Sequence, residues 1–234
     1  MNDLGRSPAE DRDPEAVRGM FGRIARRYDL ANHLLSAGLD FSWRRRAAEI
    51  VRQWQPRRVL DLATGSGDLA LTIAKKLPGA EITGADFSPE MLAVAREKGL
   101  TNVVVADGLQ LPFANETFEA VTIAFGLRNM ADWSAALAEM ARVLTPGGHL
   151  LVLDFSLPRG RMLRPIYRAY LHHILPQVAG FVTGEKGAYR YLGDSIEKFP
   201  SGDEMRALIE TSGFRRAQAE PLSGGIVTIY RAEK

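Results

Sequence analysis

The sequence predicts an α/β fold in which helices cover both faces of a mostly parallel sheet. From residue 57 onward, short apolar runs alternate with segments of helical periodicity, which is the pattern of repeated β-α-β units. Near the C-terminus two strand-like runs, at 214–222 and 225–233, meet around the pair Gly224-Gly225, which predicts an antiparallel hairpin at a sheet edge. With 234 residues, of which 46% are hydrophobic, the chain is long enough for one domain with a sizeable core.

Five apolar runs precede that hairpin and are predicted to be strands. They are VLDLA (59–63), EITGADFS (81–88), TNVVVADG (101–108), FEAVTIAFG (118–126) and HLLVLDFS (149–156). Helices are predicted between them, one at 68–77, one opened by Ser88 as cap with Pro89 in its first position, and one at about 132–144. The breaker TPGG (145–148) is expected to separate the last of these helices from the fifth strand.

The segments before and after these units have different patterns. The first thirteen residues are polar, so we expect a flexible tail there rather than a signal peptide. Residues 14–55 show helical periodicity and are expected to cover the carboxyl ends of the strands, where sheets of this kind bind ligands. Residues 157–200 look mostly helical and irregular, and a last helix is predicted near 201–212.

The composition excludes some classes of protein and leaves others open. The chain has no cysteine, which excludes disulfides and thiolate chemistry and is compatible with a reducing cytoplasm. No stretch approaches the roughly 18 consecutive apolar residues of a membrane span. Arginines cluster beside aromatic residues, for example around Trp43 and Tyr167, although the net charge is only +2. Such clusters suit an anionic lipid surface or nucleic acid, and they are equally typical of solvated helix faces.

A glycine-rich turn directly follows the first predicted strand, in the run VLDLATGSGD. Gly65, Gly67 and Ala70 match the pattern G-x-G-x-x-[GA]. Asp86 follows at close to the spacing of about 20 residues that is expected of a ribose-binding acid. A dinucleotide-dependent oxidoreductase is therefore one interpretation of the loop.

The charges beside the loop argue against that interpretation. Asp61 and Asp68 flank the glycines, whereas a pyrophosphate needs an electropositive loop lined by amides. At about 4 Å each like-charge contact would cost about 4 kcal/mol at an effective dielectric constant of 20. A cationic ligand reverses the sign of this interaction. S-adenosylmethionine carries an ammonium and a sulfonium group, so we expect the carboxylates that flank the loop, Asp61 and Asp68, to favour it while Gly65 and Gly67 let the backbone approach closely.

Acids also end the next two predicted strands. Asp86 is suited to a bidentate contact with the ribose hydroxyls, and Asp107 can accept a hydrogen bond from the adenine amino group, with Gly108 leaving room for the ring. Each feature has an ordinary alternative, such as a tight turn, a helix cap at Asp68 or a solvated strand end. Because three successive strands end in acids, the sequence favours S-adenosylmethionine over a dinucleotide.

Beyond this loop the chain resembles the ubiquinone/menaquinone biosynthesis C-methyltransferases, class I enzymes that use S-adenosylmethionine, from about Asp13 to the last residue. The resemblance rests on YDLANHLLSAGLDFSWRR (28–45), FGLRNM (125–130), RVLTPGGHLLVLDFS (142–156) and YRYLGDSIEKFPS (189–201). Three positions depart from the family pattern. Asp40 stands where histidine is usual, Ala31 where methionine is common, and Ala124 where serine often precedes the Phe-Gly-Leu-Arg-Asn run.

The resemblance implies a Rossmann-like class I methyltransferase fold, with a seven-stranded, mostly parallel sheet, an antiparallel C-terminal hairpin and an N-terminal helical cover. It divides the chain into a tail (1–13) and one methyltransferase domain (14–234), made of a helical cover (14–55), a cofactor-binding core (56–156), a substrate or lid segment (157–200) and a C-terminal helix and hairpin (201–234). By motif match it assigns cofactor contacts to Thr64, Asp86, Asp107 and Gly108, and the loop argument adds Asp61, Gly65 and Gly67.

The methyl acceptor implied by the resemblance is a prenylated quinol. A quinol ring carbon beside an oxygen is nucleophilic, so we expect the reduced form to react and a catalytic group to stabilise the phenolate. Arg128 and Asn129, at the end of the fourth strand, are the first candidates, the guanidinium for oxyanion charge and the amide for orienting a hydroxyl. Their alternative is a helix-cap network near Asp132. His33, one helical turn after Asp29, is a candidate base.

The expected reaction converts demethylmenaquinol to menaquinol and releases S-adenosylhomocysteine, without a metal. The resemblance assigns substrate contacts to Tyr28, Tyr189, Tyr191 and Ser195. The alternatives are a polyprenyl methoxybenzoquinol acceptor, a nucleic-acid methyltransferase and a binding module without activity. Methylation of base amino groups usually relies on an Asn/Asp-Pro-Pro-aromatic run after the fourth strand. This chain has AFGLRN there, which weakens the nucleic-acid alternative. We expect a cytoplasmic enzyme with a prenylated naphthoquinol and no nucleic acid as partner, while a peripheral contact with the inner membrane face and a homodimer stay open.

Overall fold

The computed structural model describes residues 36, 38–158, 160, 162–175, 177 and 186–234, with the backbone alone at 174 and 186–191. The strands are β1 (Arg58–Leu62), β2 (Glu81–Asp86), β3 (Val103–Val105), β4 (Phe118–Ala124), β5 (Leu144–Phe155), β6 (Arg215–Leu222) and β7 (Val227–Glu233). The helices are α1 (Leu39–Trp54), α2 (Asp68–Lys76), α3 (Pro89–Glu97), α4 (Trp133–Val143), α5 (Leu163–Ala169), α6 (Lys186–Lys198) and α7 (Asp203–Thr211).

All seven strands form one sheet in the order β3-β2-β1-β4-β5-β7-β6. The first five strands pair in parallel, and β7 lies antiparallel between β5 and β6. The predicted seven-stranded, mostly parallel sheet with an antiparallel C-terminal hairpin is confirmed. Because the chain order reverses between β1 and β4, a crevice opens at the carboxyl ends of these two strands, which is where such sheets bind ligands.

Two helix starts follow from their capping residues, as the sequence predicts. The hydroxyl of Ser88 accepts a hydrogen bond of 3.3 Å from the amide of Met91 at the start of α3, with Pro89 in the first helical position. Asp132 caps α4 in the same way, through a 2.9 Å bond from the amide of Ala135. Both helices are therefore fixed at their N-termini, which point towards the crevice side of the sheet.

The run TPGG (145–148) was predicted to separate α4 from the fifth strand. In the structure it is part of that strand, because β5 begins at Leu144 and continues through it. The breaker interrupts only the pairing with β4, whose register jumps from Phe118 opposite Leu144 to Ala120 opposite His149. The C-terminus satisfies the bulged backbone instead: the amide of Lys234 donates to the carbonyl of Gly148 at 2.9 Å. Long-range pairing thus overrides a strong local signal.

The predicted helical cover was expected to lie over the carboxyl ends of the strands. Helix α1 lies instead on one face of the sheet. Its buried stripe of Trp43, Ala47, Ile50 and Val51 packs in the apolar cluster formed by α2 and that face of the sheet. A second, larger cluster fills the opposite face under α4 and α7. Only the first turns of α1 reach the crevice, and residues 14–35 of the predicted cover lie outside the described residues.

The described residues of the segment at 163–198, namely 163–175, 177 and 186–198, include a small separate core. Helix α5 continues into a π-helical turn (Tyr170–Ile174), on which α6 packs. The buried residues of this cluster are Tyr167, Leu171, Leu175 and Ile196. A β-carbon at Gly193 would lie 3.2 Å from the carbonyl oxygen of Leu171, so glycine permits this close contact. Within the residues described, no helix combines the length and apolarity needed to cross a membrane.

Candidate active site

A cleft of about 220 Å³ opens at the carboxyl ends of β1, β2, β3 and β4. Four connections line it, at residues 61–66, 86–88, 106–109 and 124–131, and the first turns of α1 and α2 add Arg44 and Asp68. The predicted cofactor residues Asp61, Thr64, Gly65, Asp86, Asp107 and Gly108 all lie on its surface. The sheet therefore brings together groups that the sequence separates by more than 40 positions.

The turn after β1 depends on its two glycines. Gly65 and Gly67 both have positive φ, 56° and 84°, which L-residues with side chains adopt at a cost. A β-carbon at Gly67 would also lie 3.2 Å from that of Ala95 in α3. Gly67 thus lines no part of the cleft itself; it lets the turn press against α3 and bring Thr64 and Gly65 to the cleft.

Asp86 is the most firmly held acid of the cleft. One carboxyl oxygen accepts a hydrogen bond of 2.8 Å from the amide of Gly65, and the other accepts one of 2.9 Å from the amide of Ser88. Burial raises the pKa of Asp86, and hydrogen bonds from the amides of Ser88, Gly65 and Phe87 act in the opposite direction. These bonds fix the carboxylate in one orientation before any ligand binds.

Asp107 and Gly108 follow β3 on the next side of the cleft. Asp107 accepts a hydrogen bond of 2.9 Å from the amide of Leu109, which sets the direction of its carboxylate. A β-carbon at Gly108 would lie 2.5 Å from the terminal methyl of Met130, so only glycine lets Met130 approach here. An apolar surface beside an acceptor suits a flat heterocycle that carries an amino group.

Asp61 lies beneath the glycine turn and is almost completely buried. The hydroxyls of Thr64 and Thr122 donate to its two carboxyl oxygens at 2.7 and 2.6 Å. Desolvation raises the pKa of Asp61 to about 6, opposed by these two hydroxyls, the amide of Ala70 and the charge of Arg44. A carboxylate in this position favours a bound cation, because such a ligand returns the charge stabilisation that burial removes.

The sequence argument treated Asp68 as an unpaired acid beside the loop, but in the structure its carboxylate has partners. Its carboxylate is paired with Lys98 at 2.7 Å and lies 3.8 Å from the guanidinium of Arg44. Of the two acids that flank the loop, Asp61 is therefore the one that we expect to stabilise a cationic ligand. Arg44 itself was not among the predicted site residues, since nothing in its local sequence indicates that α1 directs it into the cleft.

Arg128 and Asn129 lie in a 3₁₀ turn (Leu127–Asn129) after β4, and they differ in what they touch. Arg128 is buried, and its guanidinium forms an ion pair of 2.7 Å with the fully buried Asp154 of β5. Asn129 lines the cleft, donates from Nδ2 to the carbonyl of Phe125 at 3.3 Å, and has a buried Oδ1 without a hydrogen-bond partner among the described residues. Of the two, Asn129 is the one positioned to contact a ligand.

The remaining predicted site residues are not on the described surface of the cleft. Tyr28, Asp29 and His33 lie outside the described residues. Tyr189 and Tyr191 fall in α6, where their side chains are outside the described part. Ser195 is buried in α6, and its hydroxyl donates to the carbonyl of Leu192 at 2.9 Å. Their roles therefore stay predictions.

The donor set fits S-adenosylmethionine. Acids lie at or just beyond the carboxyl ends of β1, β2 and β3, the first buried, the second half-buried and the third exposed at the cleft surface. The orphaned Oδ1 of Asn129 adds an acceptor for a hydroxyl or amino group. A polyphosphate would meet these same acids and be repelled. The cleft can therefore hold an elongated cationic nucleoside.

Comparisons with known proteins agree with this chemistry. A family model described as the ubiE/COQ5 methyltransferase family matches residues 9–234. The chain is 48% identical over 220 residues to the demethylmenaquinone methyltransferase of Thermus thermophilus, covering 92% of this chain and 100% of that protein. It is 42% identical to the demethylmenaquinone methyltransferase of Deinococcus radiodurans over 100% of both chains. Identity to the ubiquinone/menaquinone biosynthesis C-methyltransferase UbiE of Geobacter sulfurreducens is 45%, covering 94% and 89%.

Solved structures agree on the fold. A SAM-dependent methyltransferase from Thermotoga maritima superposes with a TM-score of 0.65 at 21% identity, covering 92% of this chain and 99% of that chain. The cleft, its acids and the match along nearly the whole chain lead to one assignment: the chain is an S-adenosylmethionine-dependent C-methyltransferase and belongs to the ubiE/COQ5 methyltransferase family.

Proposed function

We propose that the chain transfers the methyl group of S-adenosylmethionine to a ring carbon of demethylmenaquinol and so forms menaquinol. The observation that carries this proposal is the line of acids at the strand ends that lines the cleft, in a chain whose relatives from Thermus thermophilus and Deinococcus radiodurans are demethylmenaquinone methyltransferases. The acids account for the cofactor, and the relatives account for the acceptor.

The cofactor residues take separate roles in this proposal. Asp86 accepts from the ribose hydroxyls, since both its oxygens are already oriented by amides. Asp107 accepts from the adenine amino group, and Gly108 lets Met130 support the ring. Asp61 and the turn at Thr64 and Gly65 receive the ammonium end, and Gly67 acts only by shaping that turn. When bound, the cofactor would supply a methyl group made electrophilic by the sulfonium charge. S-adenosylhomocysteine would leave as the C–S bond breaks, and the methylated ring carbon would release its proton to a base or to water.

The protein contributes mainly alignment and exclusion of water. Methyl transfer from a sulfonium requires the nucleophile, the methyl carbon and sulfur in one line, so a positioned quinol needs little acid-base help. The free acceptor of Asn129 orients a quinol hydroxyl or the cofactor ammonium. We keep the predicted oxyanion role of Arg128 as a proposal; its ion pair with Asp154 at least holds the turn that carries Asn129. The base role of His33 and Asp29, and substrate contacts by Tyr28, Tyr189, Tyr191 and Ser195, are proposals of the same kind.

A benzoquinol acceptor is the second candidate function. The relative from Geobacter sulfurreducens has both ubiquinone and menaquinone biosynthesis in its name, at an identity close to that of the two demethylmenaquinone methyltransferases. The acceptor would then be a polyprenyl methoxybenzoquinol, methylated at the carbon beside an oxygen by the same in-line transfer. Both rings present the same hydroxyl to Asn129, so the cleft treats them alike.

We further propose a peripheral contact with an anionic membrane surface on the cytoplasmic side, because a prenylated substrate resides in lipid. Around α5, Met162 and Ile166 are 83% and 64% exposed, next to the exposed Arg164. Flotation with anionic and neutral vesicles tests this contact. Binding to anionic vesicles that the double change Met162→Ser and Ile166→Ser removes would support it, and failure to float with either vesicle would refute it.

The first experiment offers labelled S-adenosylmethionine with demethylmenaquinol and a methoxybenzoquinol, each in reduced and oxidised form, and measures label in the solvent extract. We expect label in reduced demethylmenaquinol and none with the oxidised quinones. Label in both quinols would extend the function to the second candidate. Absence of label with intact cofactor binding would refute the quinol proposal. Asp86→Asn, which should bind the cofactor about 100-fold more weakly, is the control for non-enzymatic transfer at a low cofactor concentration.

A further inference from the structure

One charged side chain of the cleft has no place in the roles above. Among the described residues that line the cleft, Arg44 is the only cation, while the carboxylates are those of Asp61, Asp68, Asp86 and Asp107. Arg44 helps to keep Asp61 ionised, but it also repels the positive charge of a cationic ligand unless that ligand carries an anionic group as well. S-adenosylmethionine has one such group, the carboxylate of its amino-acid end.

The sheet order locates this end of the ligand. In the proposed roles the adenine lies beyond β3 and the ribose beyond β2, so the strand order β3-β2-β1-β4 leaves the ends of β1 and β4 for the amino-acid part. Arg44 is on that side: its guanidinium carbon lies 5.6 Å from the ring centre of Phe125, which follows β4. Its charge also lowers the pKa of Asp61, which lies near the end of β1.

Arg44 is held in this position by its surroundings. Its Nη1 forms a buried ion pair with Asp40, one helical turn earlier, and Asp40 in turn accepts a 2.8 Å hydrogen bond from Ser36. The 3.8 Å between Arg44 Nη2 and Asp68 is too long for a hydrogen bond, so this edge of the guanidinium can turn to another carboxylate. Five N–H donors in a rigid fork suit a carboxylate better than a single ammonium would.

We propose that Arg44 binds the carboxylate of the amino-acid end of S-adenosylmethionine and that Asp40 positions it for this contact. The inference rests on the proposed cofactor roles. In this chain Asp40 is the buried acid that fixes the arginine. Asp61 and Arg44 together then match the zwitterion, with the ammonium on the acid and the carboxylate on the guanidinium.

The test compares two ligands that differ only in the carboxylate, S-adenosylhomocysteine and its decarboxylated counterpart, by titration calorimetry. For the native protein we expect S-adenosylhomocysteine to bind about 10- to 100-fold more tightly, the range for a hydrogen bond between charged groups. Arg44→Met should remove that difference by weakening S-adenosylhomocysteine alone. The decarboxylated ligand should bind as before or slightly better, because Arg44 repels its ammonium.

Arg45→Met is the matched control, since it removes an arginine from the neighbouring, exposed position and should leave both affinities within about twofold. Equal weakening of both ligands by Arg44→Met, or no weakening, would overturn the inference. If that variant does not fold, Arg44→Lys and the native pair of affinities decide, and a native protein that does not distinguish the two ligands would also overturn it. A native protein that binds neither ligand would refute the proposed cofactor itself.

Discussion

The acids at the strand ends and the helical segment at 163–198 are built in opposite ways. Asp61 and Asp86 are each held by two hydrogen bonds, and they lie between the two large cores of the sheet. The described part of the helical segment has a separate core that includes Tyr167, Leu171, Leu175 and Ile196, with a π-helical turn and exposed apolar residues on α5. The first region is set before the ligand binds, whereas the second has few contacts to lose if it moves to admit a prenylated substrate.

The largest effect is expected where the two regions meet, at the ion pair of Arg128 and Asp154. Arg128→Met should lower the free energy of unfolding by about 3–5 kcal/mol, because it leaves a buried carboxylate without its partner. Chemical denaturation measures this loss. Combining Arg128→Met with Asp154→Leu should recover part of it, and the exposed Arg164→Met should change stability by less than about 0.5 kcal/mol. Unchanged stability with loss of methyl transfer would instead support the oxyanion role of Arg128.

The two kinds of core should respond differently to the same truncation. Leu137→Ala, in the large core, should lower the free energy of global unfolding by about 2–5 kcal/mol. Leu171→Ala, in the small core, should speed amide exchange at 163–174 and 192–198 at least about tenfold and leave β1 and β4 unchanged. Hydrogen exchange followed by mass spectrometry separates these outcomes. Equal acceleration in β1 and β4 would mean that the segment unfolds only with the sheet.

The rigidity of the strand-end acids should appear in cofactor affinity. Asp86→Asn should weaken S-adenosylhomocysteine by about 100-fold, because two hydrogen bonds to a charged acceptor are lost and an amide N–H faces the amide of Gly65. Glu81→Gln, at the exposed start of the same strand, is the control and should bind normally. A loss below about fivefold in calorimetry would remove Asp86 from the ribose contact.

The smallest effect concerns pH. Burial raises the pKa of Asp61 to about 6 in the absence of a ligand, and an ammonium favours its ionised form. Affinity for S-adenosylhomocysteine should therefore rise with pH and level off above about pH 7, with about a tenfold loss between pH 7 and pH 5. The same raised pKa means that stability falls as pH rises from about 4 to 6, since the folded chain retains a proton that the unfolded chain releases.

Binding measured at several pH values, in buffers of different ionisation enthalpy, also counts the protons released. Asp61→Asn should abolish most of this dependence, which separates Asp61 from Asp86, whose pKa burial also raises. An unchanged pH profile in that variant would contradict the assignment of Asp61 to the ammonium.

The parts of the site that follow a strand directly were predictable, and those that depend on distant contacts were not. Asp86 and Asp107 could be located because a parallel sheet gathers the carboxyl ends of its strands at one edge. Arg44 reaches the cleft only because α1 docks on a sheet face. The pairing of Arg128 with Asp154 joins residues 26 positions apart, and the local sequence of neither indicates the other. The strand through 145–148 likewise needs the C-terminal residues to complete its hydrogen bonds.

The anchoring of α1 has a consequence for the order in which the molecule is assembled. Trp43 donates a 2.9 Å hydrogen bond to Ser223, 180 positions later, and Arg46 pairs with Glu220 at 2.7 Å. The last two strands must therefore be synthesised before α1, which carries Arg44, has all of its anchors. Until then the nascent protein can form its parallel strands and their acids. In the proposed role of Arg44, it would still lack part of the support for the residue that binds the carboxylate of the cofactor.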